Sequence, residues 1–445
     1  MGTSNYAALN DNFEKLTVMK KLWTILLLLI VTACTFSNKK TLLSEKIIHN
    51  KEFEFVKNKA IQVIKTGFNA GDGYGEVWIR DYNTFIELSC EVYKPEVIEE
   101  NLLVFFRLQG ADGNIIDGFI PKEKAVQTAG GYQYIYSDLE PQYCGHKNTV
   151  ETDHETSLVQ AVFKYISKTG NDDFLKVRVG DKTVAERLEF SMEFLMNHRW
   201  SKKYNLIYGA TTADWGDVQH CHPWGVYITE NTHYCVDIYD NAMFVIALDN
   251  MMELLPSTLA KWKPIKEKLA LRTMNTLWDK ENQKFIPHVY LEKSPYPDTF
   301  NENEIYYHGG TAIAIEAGLL TKDQIRISLN KMIANMEASG AGSIGLTMYP
   351  PYPEWAFENI GMYPYGYQNG GDWTWFGGRM IQQLIKYGFI EEAYEQLLPM
   401  TNRVYQNNGF FEWYTIKNTP KGSGTFRGSA GVLHKAITML ENSIN

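Results

Sequence analysis

Apolar residues recur at three- and four-residue spacing along most of this 445-residue chain, the pattern of helices that bury one face. The spacing predicts twelve helices, near residues 44–66, 82–93, 96–108, 153–168, 181–198, 236–254, 258–278, 309–317, 322–338, 373–387, 389–405 and 427–442. Several neighbours are joined by short turns, "TGNDDF", "LPSTLAKW", "GLLTKDQ" and "YGFIEEA", where Gly or Pro stops one helix and a polar residue helps start the next. The alternate connections are long: 109–152, 199–235, 279–308, 339–372 and 406–426. Tight turns at every second helix end make antiparallel hairpins, so the long loops must emerge together at one end. Six hairpins in a ring give an all-α (α/α)6 barrel, whose long loops, functional by the usual rule for their length, meet over one mouth. Short strands are expected within them at "IYGATT" and "KFIPHVYL".

The N-terminus reads as an address. "MKKLWTILLLLIVTAC" has two lysines after Met19, an apolar run too short to span a bilayer, and small residues before Cys34. This has the form of a bacterial lipobox. Residues 1–42 are therefore expected to be signal and tether, with Cys34 the lipidated first residue of the mature chain, and residues 43–445 one barrel domain. The expected location is the cell envelope, at the periplasmic or surface face, with the membrane reached only through the lipid. Export would place Cys90, Cys144, Cys221 and Cys235 in a disulfide-permissive compartment, where Cys221 and Cys235 could pair. A formal net charge of −9, without a lysine-rich run beyond the N-terminus, argues against nucleic acid as a partner. The 27 Tyr, 22 Phe and 11 Trp serve core packing first, but they can also stack on sugar faces.

Carboxyl groups are distributed over the long loops. In "GDGYGEVWIRDYNTF", Arg80 and Asp81 follow Trp78 at a loop-to-helix junction, where they can grip vicinal hydroxyls or simply cap the helix. "TTADWGDVQHCHPW" sets Asp214 and Asp217 around Trp215, and "NNGFFEWYTIKNTPKGSG" holds Glu412 among aromatics. Glycoside hydrolysis needs one protonated and one ionised carboxyl on opposite sides of the scissile bond. Asp214 or Asp217 together with Glu412 supply that pair if the loops converge, and packing against Trp215 would raise an acid's pKa. Glu354 and Glu358 are rivals for the base. Glu151, Asp153 and Glu155 open a helix, where the helix dipole alone would account for them.

Taken together, "VWIRDYNTFIEL", "ETDHETSLVQAVFKYISKTGN", "NGGDWTWFGGRMI" and "FFEWYTIKNTPKGSGTFRGSAGVLHKAI" resemble the six-hairpin glycosidase superfamily over most of residues 70–440. The nearest likenesses are neutral/alkaline invertases, the glucosidase domain of glycogen-debranching enzymes, trehalases and processing α-glucosidases. The resemblance implies Asp217 as general acid, Asp214 as a substrate or tuning residue, and Glu412 as general base. It also implies that Arg80 and Asp81 grip the sugar and that Gly370, Gly371 and Trp373 line the pocket; Trp78, Trp215, Trp375 and Tyr414 are candidate sugar contacts beside them. Thr374 stands where the invertase pattern has proline, and the acid loop carries the insertion "VQHCHPWGVYITENTHYC", which argues against an invertase.

His220, Cys221, His222, His233 and Cys235 offer zinc-type ligands, but their spacing matches no zinc pattern; pocket contacts or loop packing are the preferred readings, and no cofactor is expected. The overall expectation is an exported, inverting, exo-acting α-glycosidase of an oligosaccharide. Its two carboxyls should stand about 6.5–9.5 Å apart across one pocket. The alternatives are a phosphorylase, an epimerase or an unsaturated-uronide hydrolase on the same fold, and a non-catalytic glycan-binding lipoprotein.

Overall fold

The computed structural model describes residues 19–20, 42–125, 133–220, 222–223 and 225–444. Cys34 and Cys221, and with them the expected lipidation and the Cys221–Cys235 pair, lie outside these residues. The chain divides into two compact units, Met1–Lys51 with Ile444–Asn445, and Glu52–Ser443. In the first, residues 42–48 are helical. The single helix expected at 44–66 is interrupted at His49 and Asn50.

The second unit is helix-rich. Its helices are α1 (Lys51–Ile64), α2 (Ile79–Val92), α3 (Pro95–Arg107), α4 (His154–Thr169), α5 (Val184–His198), α6 (Ile238–Leu254), α7 (Leu259–Leu277), α8 (His308–Glu316), α9 (Lys322–Ser339), α10 (Thr374–Lys386), α11 (Ile390–Asn407) and α12 (Arg427–Asn442). Capping chemistry fixes several starts. Thr183 with Glu186, and Thr321 with Gln324, form reciprocal capping boxes at α5 and α9, while Gly170 and Gly340 end α4 and α9 in the left-handed conformation.

Burial sorts the helices into two sets. The even-numbered helices are enclosed on nearly every side: in α10 every residue from Thr374 to Ile385 is buried, and in α8 every residue from His308 to Ile315. The odd-numbered helices bury a single stripe, in α9 only Ile325, Ser328, Leu329 and Met332. Such a difference is what an inner and an outer layer require. Contacts follow it: α2 packs on α4, α4 on α6, α6 on α8, α8 on α10, α10 on α12, and α12 returns to α2. The return contact depends on Gly431, where a Cβ would lie 2.6 Å from the Cα of Phe85. Helices α3, α5, α7, α9 and α11 each pack on the inner helix that precedes or follows them in the chain.

The long connections carry short strands. β1 (Val77–Trp78), β2 (Gly118–Pro121), β3 (Ile135–Ser137) and β4 (Glu140–His146) form an antiparallel sheet in the order β1-β2-β4-β3. Strand residues occur at both expected places, Gly209–Ala210 and Val289–Tyr290, each pairing with Tyr234–Val236. A separate apolar cluster beneath these loops, including Tyr296, Tyr307, Met348, Tyr352 and Phe357, fixes them to one another.

Candidate active site

The starts of α2, α4 and α10, and the loops leading into α6 and α12, border one cavity of about 390 Å³. Arg80 organises one wall. Its Nε and Nη2 donate to the two oxygens of Asp153 at 2.7 and 3.0 Å, Nη2 also lies 2.7 Å from Glu151, and Nη1 donates to Oδ1 of Asp217 at 2.9 Å. Tyr239 donates its hydroxyl to Asp153 at 2.6 Å. Burial pushes Asp153 upward, but Arg80, His154 and these hydrogen bonds outweigh it and hold its pKa at about 2. Glu151 goes the other way: burial, reinforced by Asp217 and Asp117, carries it well above the ordinary carboxyl range despite Arg80. Asp81, fully enclosed, is likewise raised by burial, and its Oδ1 has no hydrogen-bond partner.

Asp217 is the half-exposed member of this wall. Tyr367 donates to its Oδ2 at 3.1 Å, Asn148 donates to its carbonyl at 2.8 Å, and its own N–H donates to Gln368 at 3.0 Å. The sharp turn that presents Tyr367 needs Gly370 at φ +89°, and Gly371, where a Cβ would lie 2.2 Å from the Tyr367 carbonyl oxygen. Glu412 stands on a different loop of the same cavity. Its Oε2 accepts from the Tyr74 hydroxyl at 2.6 Å and from the Ser423 N–H at 3.2 Å. Burial raises its pKa against the pull of those two donors.

Aromatic side chains complete the lining. Trp215 stacks on Phe376 with ring centres 4.6 Å apart and meets Trp373 and Trp375 edge-on. Trp78 meets Tyr74 edge-on at 4.8 Å. The indole N–H groups of Trp215 and Trp375 are buried without an acceptor, unlike that of Trp373, which donates to the Tyr367 carbonyl. Folded proteins satisfy nearly all such groups; here the two indole N–H groups and Asp81 Oδ1 are sealed from solvent behind the cavity lining.

Of the residues singled out from the sequence, Trp78, Arg80, Asp81, Trp215, Asp217, Trp373, Trp375 and Glu412 border the cavity. Asp214 does not: it turns at φ +56° toward α8, and both its oxygens accept from the Gly310 N–H. Gly370 and Gly371 shape the turn behind Tyr367, and Tyr414 lies under the Arg403 guanidinium, 4.4 Å from its ring centre. Glu354 and Glu358 are exposed and outside the lining. Of the helix-start acids, Glu151 faces the cavity, Asp153 stands behind Arg80, and Glu155 holds Lys147 and the Ile115 N–H. Tyr74, Asn148 and Tyr367 were not singled out, because contacts far along the chain create their roles.

The loop histidines are held by backbone. His220 meets the Ala356 carbonyl, His222 accepts from the Gly225 N–H, and His233 meets the Lys293 carbonyl. Donor atoms within 4.8 Å of one another, suited to a cation, come instead from Asp117, Glu151 and His154. These side chains already engage one another and their neighbours: Asp117 with His146 and the Asn148 N–H, and Glu151 with Arg80, His154 and the Asn148 amide.

No protein-family model matches the chain. No curated protein sequence matches it either. Solved structures do. A GH63 mannosylglycerate hydrolase from Thermus thermophilus, in complex with Tris and D-glycerate, aligns with TM-score 0.61 at 14% identity, covering 85% of this chain and 99% of that one. The same hydrolase in complex with glucose aligns at 0.59 and 15% identity with the same coverage. A rhamnosidase from Klebsiella oxytoca with rhamnose bound aligns at 0.54 and 11% identity, over 87% of this chain and 63% of that one. At these identities the likeness is one of fold, shared with a mannosylglycerate hydrolase and a rhamnosidase.

Proposed function

We propose that this chain is an inverting glycoside hydrolase that removes a terminal sugar, its six helical hairpins closing as an (α/α)6 barrel. The cyclic packing of the even-numbered helices supports the barrel. One observation carries the activity: Asp217 and Glu412, from separate loops, border one cavity that Trp78, Trp215, Trp373 and Trp375 also line. A cavity of about 390 Å³ suits a monosaccharide unit, and structural neighbours hold glucose, rhamnose, Tris or glycerate.

In this reading Glu412, oriented by Tyr74 and Ser423, takes a proton from water as its oxygen attacks the anomeric carbon. Asp217 gives its proton to the leaving oxygen as the glycosidic C–O bond breaks. Asp217 is not the sole counter-ion of Arg80, which Asp153 and Glu151 also share, so a proton on Asp217 leaves the guanidinium neutralised. Proton NMR of the first product should show the anomeric configuration opposite to that of the substrate. Retention would overturn the mechanism, and sugar binding without turnover would favour a non-catalytic glycan-binding protein.

Export as a lipoprotein through Cys34 is part of the proposal, resting on the sequence 19–34 alone. Wild-type protein should fractionate with membranes, and Cys34→Ser should release it or block its processing. Unlipidated, soluble wild-type protein would refute this.

A further inference from the structure

The cavity is lopsided in charge. Glu76, Asp81, Asp117, Glu151, Asp217 and Glu412 border it, while Arg80 is the sole Lys or Arg among its described lining residues. Arg80 is already committed to three carboxylates, which use four of its five N–H groups. The neighbouring cations are committed too, His146 beside Asp117 and Lys147 to Glu155. His154 is kept neutral by burial, its pKa falling to about 4.

An entering carboxylate, sulfate or phosphate would lose its water beside several fixed acids and find no uncommitted cation. Coulomb repulsion at such distances is poorly screened away from bulk water. Hydroxyls face no such cost, since carboxylate oxygens accept from them and the indole faces stack on the sugar ring. An ammonium gains attraction from those of these acids that stay ionised, Asp117 among them.

Resting on the glycosidase reading, we propose that the cavity accepts sugars that are uncharged or carry an amine, and rejects sugars bearing an acidic group. The same charge disfavours phosphate as a co-substrate, so cleavage is by water. Unsaturated uronides, an open alternative from the sequence, are thereby excluded as substrates.

Two measurements on the wild-type protein separate this from the parent reading. Aryl glycosides of gluco, manno and galacto configuration are compared with the matching aryl uronides, and calorimetry compares each free hexose with its uronate and its basic iminosugar. Hydrolysis of the uronide should be at least about a hundredfold less efficient, with binding in the order iminosugar, hexose, uronate. A uronide cleaved as well as its hexoside, or a uronate bound as tightly as its hexose, overturns the charge selection and leaves the glycosidase reading standing. No cleavage of any glycoside, with the binding order kept, removes the glycosidase reading and sustains the selection. Failure of all three sugar classes to bind overturns both.

Discussion

The same inner helices carry two clusters of charge, and they are built oppositely. Further along their length from the cavity, acids and cations are matched: Lys435 pairs with Glu87, Arg379 with Glu316 at 3.0 Å, and Lys164 donates to the carbonyl and side chain of Asn83, both at 2.8 Å. There burial pushes Glu87 and Glu316 upward, but the nearby cations outweigh it and leave both below the ordinary range. At the cavity acids outnumber cations, and Asp81 and Glu151 rise well above that range. Matched charge serves the fold. Unmatched acids, costly to bury ionised, are pushed toward holding their protons.

The largest effect expected from the proposed mechanism follows removal of a carboxyl from the cavity. Asp217→Asn and Glu412→Gln should each lower turnover by about a hundredfold to ten-thousandfold, with thermal unfolding unchanged. An active Glu412→Gln enzyme would assign the base to a different group. Arg80→Met should destabilise the protein by about 3–5 kcal/mol in urea unfolding, because Asp153 and Glu151 lose a buried counter-ion. Equal stability would mean that these acids simply take up protons.

A subtler test uses pH. Burial raises Asp214 to about 8 from 3.8, so the folded chain binds its proton more tightly than the unfolded chain does. The stability this contributes is fully present below the unfolded value and is lost as pH rises toward about 8. Asp214→Asn, permanently neutral, should flatten that decline, by about 1 kcal/mol or more between urea titrations at pH 5 and pH 9. An unchanged slope would show that the Gly310 N–H and the start of α8 hold the carboxylate ionised. The smallest effect belongs to the matched cluster: Lys435 is half-exposed, and Lys435→Ala should cost at most about 1 kcal/mol.

Helices were the most legible part of the sequence. The stretches expected at 322–338 and 373–387 correspond to Lys322–Ser339 and Thr374–Lys386, since apolar spacing and caps are local properties. Local signals failed where pairing came from elsewhere. The sheet β1-β2-β4-β3 has no alternating pattern of its own, and its register depends on Val77 facing Phe119 and Gly118 facing His146. The helix expected from 181 begins at Val184 because Lys182 and Thr183 pair with Val179 and Arg178.

Which segments are helical, which connections are long, and which loops bring carboxyls beside aromatics can all be read from the residues alone. These follow from periodicity, capping residues and composition, all of which act within a few residues. The direction in which each carboxyl faces, by contrast, is set by packing. Asp214 and Asp217 stand three residues apart around one tryptophan, yet one caps α8 and the other borders the cavity, where Arg80 and Tyr367 reach it. Tyr74 meets Glu412 across a separation of 338 residues. Partners so distant in the chain become neighbours only when the helices pack, and burial, which sets the charge of each acid, exists only after that packing.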